Sequence, residues 1–273
     1  MFYTNIDTAE IKRRIVNFRE RAKKGLNVND CTSEISSIFG ESYGFPTEPK
    51  QYEANTIFYR ARVIPDNDTV LPLLTMRKVA DAWEPPSKYV QTQGRLNAIG
   101  QSILYCCPND FDLAIDEAQA RNGNHVAVMV YRARKSISVS VLGDYFNSNL
   151  PKDDLSKVFF EFLDEEFSQI VASGDEGRYI ITQAIADTFF NFPEQDAWCY
   201  RSVQSPTKFN VAFLPGKQTE SLELSGVMIC DLRLSSLGKL SVKTVVDFDQ
   251  ITGVARYHRI GSAQQKKLFP DLA

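Results

Sequence analysis

The chain has 273 residues, of which 43% are apolar and 24% are charged. This composition is typical of a globular protein with a substantial core, and it excludes an intrinsically disordered chain. The formal net charge of -3 argues against non-specific nucleic-acid binding, which needs a strong positive field, although a locally basic face remains open.

The sequence offers no sign of export, membrane insertion or metal binding. The N-terminus has no apolar signal region, and no window approaches the run of ~18 apolar residues that a membrane span needs, so we expect a cytoplasmic protein. The only two histidines, His125 and His258, are far apart, which argues against a histidine metal site. An odd number of cysteines without CxxC spacing predicts reduced, buried thiols at Cys31, Cys106, Cys107, Cys199 and Cys230.

The N-terminal segment predicts two helices. The first extends from Asp7, which can cap it, to Gly25, and Ile11, Ile15 and Phe18 recur on its apolar face. Its other face is rich in basic residues, which could bind an acidic partner or could simply be solvated: Lys12, Arg13, Arg14, Arg19, Arg21, Lys23 and Lys24.

A linker follows the second predicted helix, which runs from Asp30 to about Phe39. The stretch GFPTEPKQ, rich in turn-forming residues, predicts this linker and a boundary near residue 52. We therefore expect an N-terminal helical segment over 1–52 and one main domain over 53–273.

The main domain groups strands without regular alternation with helices. This order favours an α+β fold over a doubly wound sheet. The predicted helices cover 108–121, 151–172 and 178–191, and the predicted strands cover 56–63, 102–107, 125–131, 136–142, 197–201, 209–214, 221–234, 240–248 and 253–260, before a polar tail.

The common catalytic motifs, such as GxSxG, HExxH and the phosphate-binding loops, are absent. Polar residues inside apolar strands are the remaining candidates. Arg60 and Arg62 lie on one face of a predicted strand, where a guanidinium could bind a phosphate or form a structural salt bridge. Arg95 and Asn97 lie in a glycine-flanked turn, which could approach a ligand or be a plain turn.

Three further candidates follow along the chain. Tyr105 ends a buried strand, and Glu117 lies on a helix face with small alanines, where a carboxylate must be functional or ion-paired. Asp116, on a neighbouring face, is expected to be solvated. Ser202 follows the strand WCYR, and Asn210 lies on the next strand. A serine at a strand end is most often structural, and no adjacent base indicates a nucleophile.

Taken in order, these pieces resemble the RES-domain family, the toxin components of bacterial toxin–antitoxin pairs. The resemblance covers about residues 56–215 and depends on YRAR, GRLNAIGQSILYCC, LAIDEA, YIITQAIADTFF, AWCYRS and FNVAFLP. It implies a domain similar to ADP-ribosyltransferases, with mixed or antiparallel sheets and flanking helices. Family members consume NAD, releasing nicotinamide and passing ADP-ribose to water, phosphate or a protein side chain.

The resemblance also implies roles for the candidate residues. Arg60 and Arg95 match the basic positions, Tyr105 the aromatic one, Glu117 the acidic one and Ser202 the serine. We expect the arginines to clamp the pyrophosphate, Tyr105 to stack on nicotinamide, Glu117 to stabilise the reacting ribose, and Ser202 to hydrogen bond to the substrate, with Asn97 and Asn210 assisting binding.

Several expectations about the whole protein follow from the resemblance. NAD would be a substrate, with inorganic phosphate as a possible co-substrate and no prosthetic group. A cognate antitoxin protein is the expected partner. Ala61 departs from family members that have an aromatic residue there, which puts full stacking of the ligand in question. The alternatives are a protein-directed ADP-ribosyltransferase and a non-catalytic module that binds an acidic partner through the basic helix.

Overall fold

The computed structural model describes residues 7–40, 47, 49–143, 153–171, 174–232 and 241–272. The chain divides into two compact units. The first contains Met1–Gln51, Pro86–Ile103 and Ser138–Leu214, and the second contains Tyr52–Pro85, Leu104–Ile137 and Pro215–Ala273. The chain first passes between units close to the predicted boundary at residue 52, but the first unit also includes two later segments. The division into residues 1–52 and 53–273 stays a prediction.

The described elements make an α+β fold, which confirms the predicted class, whereas the likeness to ADP-ribosyltransferases stays a prediction. The helices are α1 (Thr8–Ala22), α2 (Val28–Phe39), α3 (Phe111–Glu117), α4 (Asp154–Ser168), α5 (Ile180–Phe189), α6 (Lys217–Ser221) and α7 (Ala263–Leu268). The strands are β1 (Pro49–Tyr52), β2 (Ile57–Ile64), β3 (Leu104–Pro108), β4 (His125–Ala133), β5 (Ile137–Leu142), β6 (Ala197–Arg201), β7 (Phe209–Phe213), β8 (Leu222–Asp231), β9 (Ser241–Phe248) and β10 (Ala255–Arg259).

The first unit combines the strand order β1-β5-β6-β7 with helices α1, α2, α4 and α5. Strand β6 pairs with β5 in parallel and with β7 in antiparallel orientation. The N-terminal helices contribute directly to the core of this unit, because the ring of Phe18 lies 6.4 Å from that of Phe162 and the ring of Phe39 lies 5.1 Å from that of Phe159. The apolar face predicted for the first helix is therefore a core face.

The second unit has the strand order β3-β2-β4-β8-β9-β10, and every described pairing within it is antiparallel. Its central strand β4 is buried along almost its whole length, which fits the continuous apolar run HVAVMVY. Helix α3 packs on β2 and β3, with Leu113 and Ala114 against Cys107. The second unit thus supports β2 from both neighbouring strands and from one helix.

Local signals predicted where most elements begin better than where they end. Asp7, Asp110 and Asp153 cap α1, α3 and α4 by accepting a hydrogen bond from a backbone N–H. The predicted extension of the third helix to residue 121 is wrong: α3 ends at Glu117 because Gln119 adopts a positive φ of 53°.

The sequence patterns did not predict three short helices and strands of the structure. Strand β1 lies within the predicted linker, α6 precedes β8, and α7 lies within the predicted polar tail. Each has six residues or fewer, too few to show a periodic pattern. Some predicted positions lie outside the described residues: 151, 152, 172, 233, 234 and 240 of the predicted elements, and 44–46 and 48 of the predicted linker. Among the helices that are described, none has the length and apolarity needed to cross a membrane.

Candidate functional site

The seven candidate residues are divided between the two units. Arg60, Tyr105 and Glu117 belong to the second unit, and Arg95, Asn97, Ser202 and Asn210 belong to the first.

Arg60 and Arg62 project from the same face of β2, which is paired on both sides rather than being an edge strand. Arg60 Nη1 donates a hydrogen bond to the carbonyl of Trp83 at 2.5 Å, and Arg60 also bonds to the hydroxyl of Tyr131. Burial and the charge of Arg60 lower the pKa of Arg62. Within the described part of the chain, the Arg62 guanidinium has no hydrogen bond or ion pair. Two adjacent guanidinium groups with unused donors are suited to an anion.

A second polar pair lies in this unit and was not predicted from the sequence. Gln218 Nε2 donates to Glu84 Oε1 at 2.7 Å. The other oxygens of this pair, Glu84 Oε2 and Gln218 Oε1, are buried and accept no hydrogen bond from any described residue. Glu84 and Arg60 both act electrostatically on Cys106, whose pKa is raised by burial, so this cysteine is a neutral thiol.

Tyr105 and Glu117 lie on the opposite face of the β2–β3 pair from the arginines. Helix α3 packs with Leu113 and Ala114 against Tyr59 and Ala61, the residues of β2 that alternate with Arg60 and Arg62. Tyr105 is two residues from Cys107, which also contacts this face. The structure therefore places Tyr105 and the helix that ends at Glu117 on one side of β2, and Arg60 on the other.

Glu117 is the last residue of α3 and is partly buried. Ala114 is buried and Asp116 is exposed, as the helical spacing predicts. The side chain of Asp110 accepts a hydrogen bond from Leu113 N at 2.9 Å and so fixes the start of this short helix. The position of the Glu117 carboxylate thus depends on a single well-capped helical segment.

In the first unit, Arg95 is held between aromatic rings and a backbone carbonyl. Its guanidinium carbon lies 5.4 Å from the ring centre of Tyr179 and 5.5 Å from that of Tyr200. Its Nη2 donates to the carbonyl of Gln169 at 2.9 Å, and its own carbonyl accepts from Thr182 Oγ1 at 2.6 Å. Arg95 Nε is buried and has no acceptor among the described residues. Arg95 Nε is therefore a buried donor that is available to a ligand.

Asn97 occupies the turn in a way the sequence did not predict. It is buried, and a side chain at Gly94 would place its Cβ 2.2 Å from Asn97 Oδ1. The glycine therefore makes room for Asn97 itself; the sequence had left open whether this turn approaches a ligand or is a plain turn.

Ser202 and Asn210 lie near Tyr200. Asn210 is the cross-strand partner of Tyr200 in the β6–β7 pair, and both are buried. Ser202 Oγ accepts hydrogen bonds from the backbone N–H groups of Gln204 at 3.0 Å and Ser205 at 3.2 Å. These bonds order the turn after β6, as expected for a structural serine at a strand end.

Taken separately, each unit thus contributes a cationic group with unused donors. Four residues of these sites were not predicted as functional, because each makes its contact with a residue far away in the chain: Tyr179, Gln169, Glu84 and Gln218. Tyr200 and Tyr131 lie in strands, where the sequence pattern indicates burial but not which residue a side chain contacts. The structure shows that the Tyr200 ring contacts Arg95 and the Tyr131 hydroxyl contacts Arg60.

Comparison with known proteins gives one family match. A family model described as the RES domain matches residues 59–232. This range contains all seven candidate residues and extends beyond residue 215, where the sequence resemblance was expected to end. A search of curated proteins found no match.

Proposed function

The chain belongs to the RES-domain family, and on that premise we propose that it is an enzyme that consumes NAD by cleaving the bond between nicotinamide and ribose. The observation that carries this proposal is the family match, whose range contains every candidate residue. The unused cationic donors on Arg95 and Arg62 add support, because NAD carries a pyrophosphate that needs such partners.

The proposed reaction needs little acid–base chemistry. When the C1′–N bond breaks, its electron pair goes to the positively charged pyridinium nitrogen, and nicotinamide leaves as a neutral molecule. A general acid is therefore unnecessary, unlike in glycosidases that use two carboxylates. Water or phosphate then attacks C1′ and loses a proton. What the protein must supply is a negative charge near the cationic, oxocarbenium-like ribose.

Glu117 is the proposed source of that charge. Its carboxylate would bind a ribose hydroxyl and stabilise the developing positive charge, and Tyr105, on the same face of the β2–β3 pair, would stack on nicotinamide. Arg60 and Arg62 project from the other face of β2, and Arg95 belongs to the first unit; we propose that each of these arginines binds phosphate charge.

The remaining candidates have supporting roles in this proposal. Ser202 orders the turn that follows Tyr200 and would contribute a substrate hydrogen bond from its hydroxyl. Asn97 and Asn210 would help to bind the substrate in the same unit.

We further propose that the enzyme is a toxin restrained by a cognate antitoxin. The opposing hypothesis, a non-catalytic module that binds an acidic partner through α1, is weakened by the ion pairs of this helix. Six of the seven basic residues predicted on the basic face of the first helix already pair with carboxylates of the same chain, so little positive charge remains for a partner: Lys12, Arg13, Arg14, Arg19, Arg21 and Lys23.

The test is release of nicotinamide from NAD by the purified protein, with and without phosphate. We expect Glu117→Ala to lower turnover by about 10²–10³-fold with the fold retained, because a positioned electrostatic interaction is lost. Asp116→Ala, which removes a neighbouring exposed carboxylate, is the matched control and should leave turnover unchanged.

The acceptor is identified in the same experiment with labelled NAD. Soluble ADP-ribose indicates hydrolysis, its phosphorylated form indicates phosphorolysis, and label on protein indicates an ADP-ribosyltransferase. Full activity of Glu117→Ala would reject the role of this residue, and the absence of both NAD binding and turnover in the unaltered protein would reject the proposed function.

A further inference from the structure

A chain of hydrogen bonds in the first unit connects the N-terminal helix α1 to Arg95. Helix α1 lies outside residues 59–232, the range that matches the family, so the family assigns it no role. Its polar contacts nevertheless lead to one of the proposed substrate-binding residues.

The first link is an ion pair between a partly buried arginine and a buried glutamate. Arg19 Nε of α1 donates to Glu166 Oε1 of α4 at 2.6 Å, and Arg19 Nη2 lies 2.8 Å from Glu165 Oε2. The guanidinium carbon also lies 5.4 Å from the centre of the Phe162 ring. Glu166 is only 1% exposed, whereas Glu165 is exposed. A carboxylate buried to this extent needs a partner, and Arg19 supplies a charged one.

The second link passes from Glu166 to Gln169, the residue that follows α4. Gln169 Nε2 donates to Glu166 Oε2 at 2.7 Å, and Gln169 Oε1 accepts from Arg178 Nη2 at 2.8 Å. Both ends of the Gln169 side chain are therefore held. Its backbone is extended, with ψ at 139°, so its carbonyl points away from the helical path.

The third link is the hydrogen bond from Arg95 Nη2 to that Gln169 carbonyl, at 2.9 Å. This bond and the two tyrosine rings orient the guanidinium, and they leave Nε as a buried donor without an acceptor in the described chain. The direction of that unused donor thus depends in part on where the Gln169 carbonyl lies.

We propose that Arg19 is a positioning residue for Arg95, acting through Glu166 and Gln169, so that the N-terminal helix is part of the substrate-binding machinery. The link between Arg19 and Arg95 stands on the geometry above, whereas its consequence for NAD rests on the proposed function. Loss of Arg19 would leave Glu166 buried without its cationic partner. Burial already raises the pKa of Glu166 and Arg19 opposes that effect, so loss of Arg19 would raise this pKa further and weaken the negative charge that holds Gln169.

The same helix offers a matched control. Arg21 forms an ion pair with Glu34 of α2, which joins the two N-terminal helices but has no described hydrogen-bond path to Arg95. Arg19→Gln and Arg21→Gln each remove one arginine that pairs with a glutamate. An effect on Arg95 that comes only from a general loosening of α1 would appear in both variants.

The first readout does not use NAD. The Nε–Hε signal of Arg95 is recorded by NMR in the full-length protein and assigned by its disappearance in Arg95→Lys. We expect Arg19→Gln to shift this signal and to speed its exchange with water, and Arg21→Gln to leave both unchanged. Gln169→Ala, which keeps the backbone carbonyl but removes the side chain that anchors it, should act in the same direction and serves if Arg19→Gln fails to fold.

The second readout is kinetic. We expect Arg19→Gln to raise the KM for NAD about tenfold with little change in kcat, since coupled neighbours typically interact at that level. Adding Arg95→Gln should raise KM no further than Arg95→Gln alone, because both changes remove the same interaction.

The two readouts separate the two ideas. An Arg95 signal that is unchanged in folded Arg19→Gln, or in Gln169→Ala where Arg19→Gln does not fold, overturns the positioning role whatever the enzyme does, and so does an equal shift in Arg21→Gln. A shifted signal in a protein that does not turn over NAD supports the positioning role and rejects the proposed function instead.

Discussion

The hydroxyl of Tyr131 both pairs with a buried carbonyl and contacts Arg60. The residue is fully buried, and its hydroxyl donates to the carbonyl of Ala82 and bonds to Arg60. Burial raises the pKa of this tyrosine, so the hydroxyl keeps its proton and remains a donor. The direction of Arg60 is therefore set in part by a neutral phenol rather than by an acid.

We predict that Tyr131→Phe lowers the free energy of unfolding by about 1–3 kcal/mol, because the buried carbonyl of Ala82 loses its donor. It should also raise the KM for NAD, because Arg60 loses a hydrogen bond that orients it. Denaturant titration and nicotinamide release measure the two effects.

Tyr257→Phe is the control for that variant. The Tyr257 hydroxyl lies 2.6 Å from the carbonyl of Met76, in the same unit, and has no described contact with Arg60. We expect it to lower stability but not to change KM. An equal rise in KM in both variants would show that the kinetic effect comes from stability alone.

At the scale of elements, α3 is the segment on which the proposed catalysis depends most. It has seven residues, too few to be stable without its cap and its packing on β2 and β3. Helix α4, with fifteen residues, begins in the same way, because Asp153 caps it as Asp110 caps α3. Variants of Asp110 and Asp153 both lose a helix cap, but only the Asp110 variant disturbs the helix that carries Glu117. Comparing them separates the effect of a lost cap on stability from the effect of a displaced Glu117.

We predict that Asp110→Ala and Asp153→Ala each lower the free energy of unfolding by about 1 kcal/mol, as the loss of an N-cap usually does. Only Asp110→Ala should also lower kcat for nicotinamide release, because only α3 carries Glu117. A similar kcat in the two variants would argue that the position of α3 does not matter to the reaction.

At the scale of the whole molecule, the N-terminal helices are part of the core of the first unit. Phe18 and Phe39 are fully buried and contact aromatic rings of α4. Loss of one such ring typically costs about 3–5 kcal/mol, and a whole domain is stable by only about 5–15 kcal/mol. The segment is therefore not a separable docking arm.

We predict that deletion of residues 1–50 yields an insoluble or largely unfolded protein. Phe18→Ala, a milder change, should lower the free energy of unfolding by about 3–5 kcal/mol in a denaturant titration. A soluble deletion variant with an unchanged melting temperature would contradict the packing role that the aromatic contacts indicate.

Much of the fold could be predicted from local patterns. The periodic apolar residues of α1, the cap of α3 and the apolar run of β4 each signal an element from within a few neighbouring residues. Elements without such a signal were missed, as β1, α6 and α7 show, because a handful of residues carries too little periodicity.

The candidate site could be predicted as a set of residues but not as an arrangement. The order of Arg60, Arg95 and Glu117 in their motifs was enough to indicate the family, which the match over residues 59–232 confirms. Strand alternation placed Arg60 and Arg62 on one face, but it could not show that α3 packs on the other.

The sequence by itself determined the fold class, the family and the capped ends of the main helices, because these depend on short local patterns and on the order of those patterns along the chain. Only the tertiary structure decided which distant side chains meet. Arg19 and Glu166 are 147 positions apart, and Glu84 and Gln218 are 134 apart. Such distant pairs leave no local pattern in the sequence. A charged residue that faces solvent and one that faces a buried partner can occur at the same positions of a helical or strand repeat, so the spacing does not distinguish them.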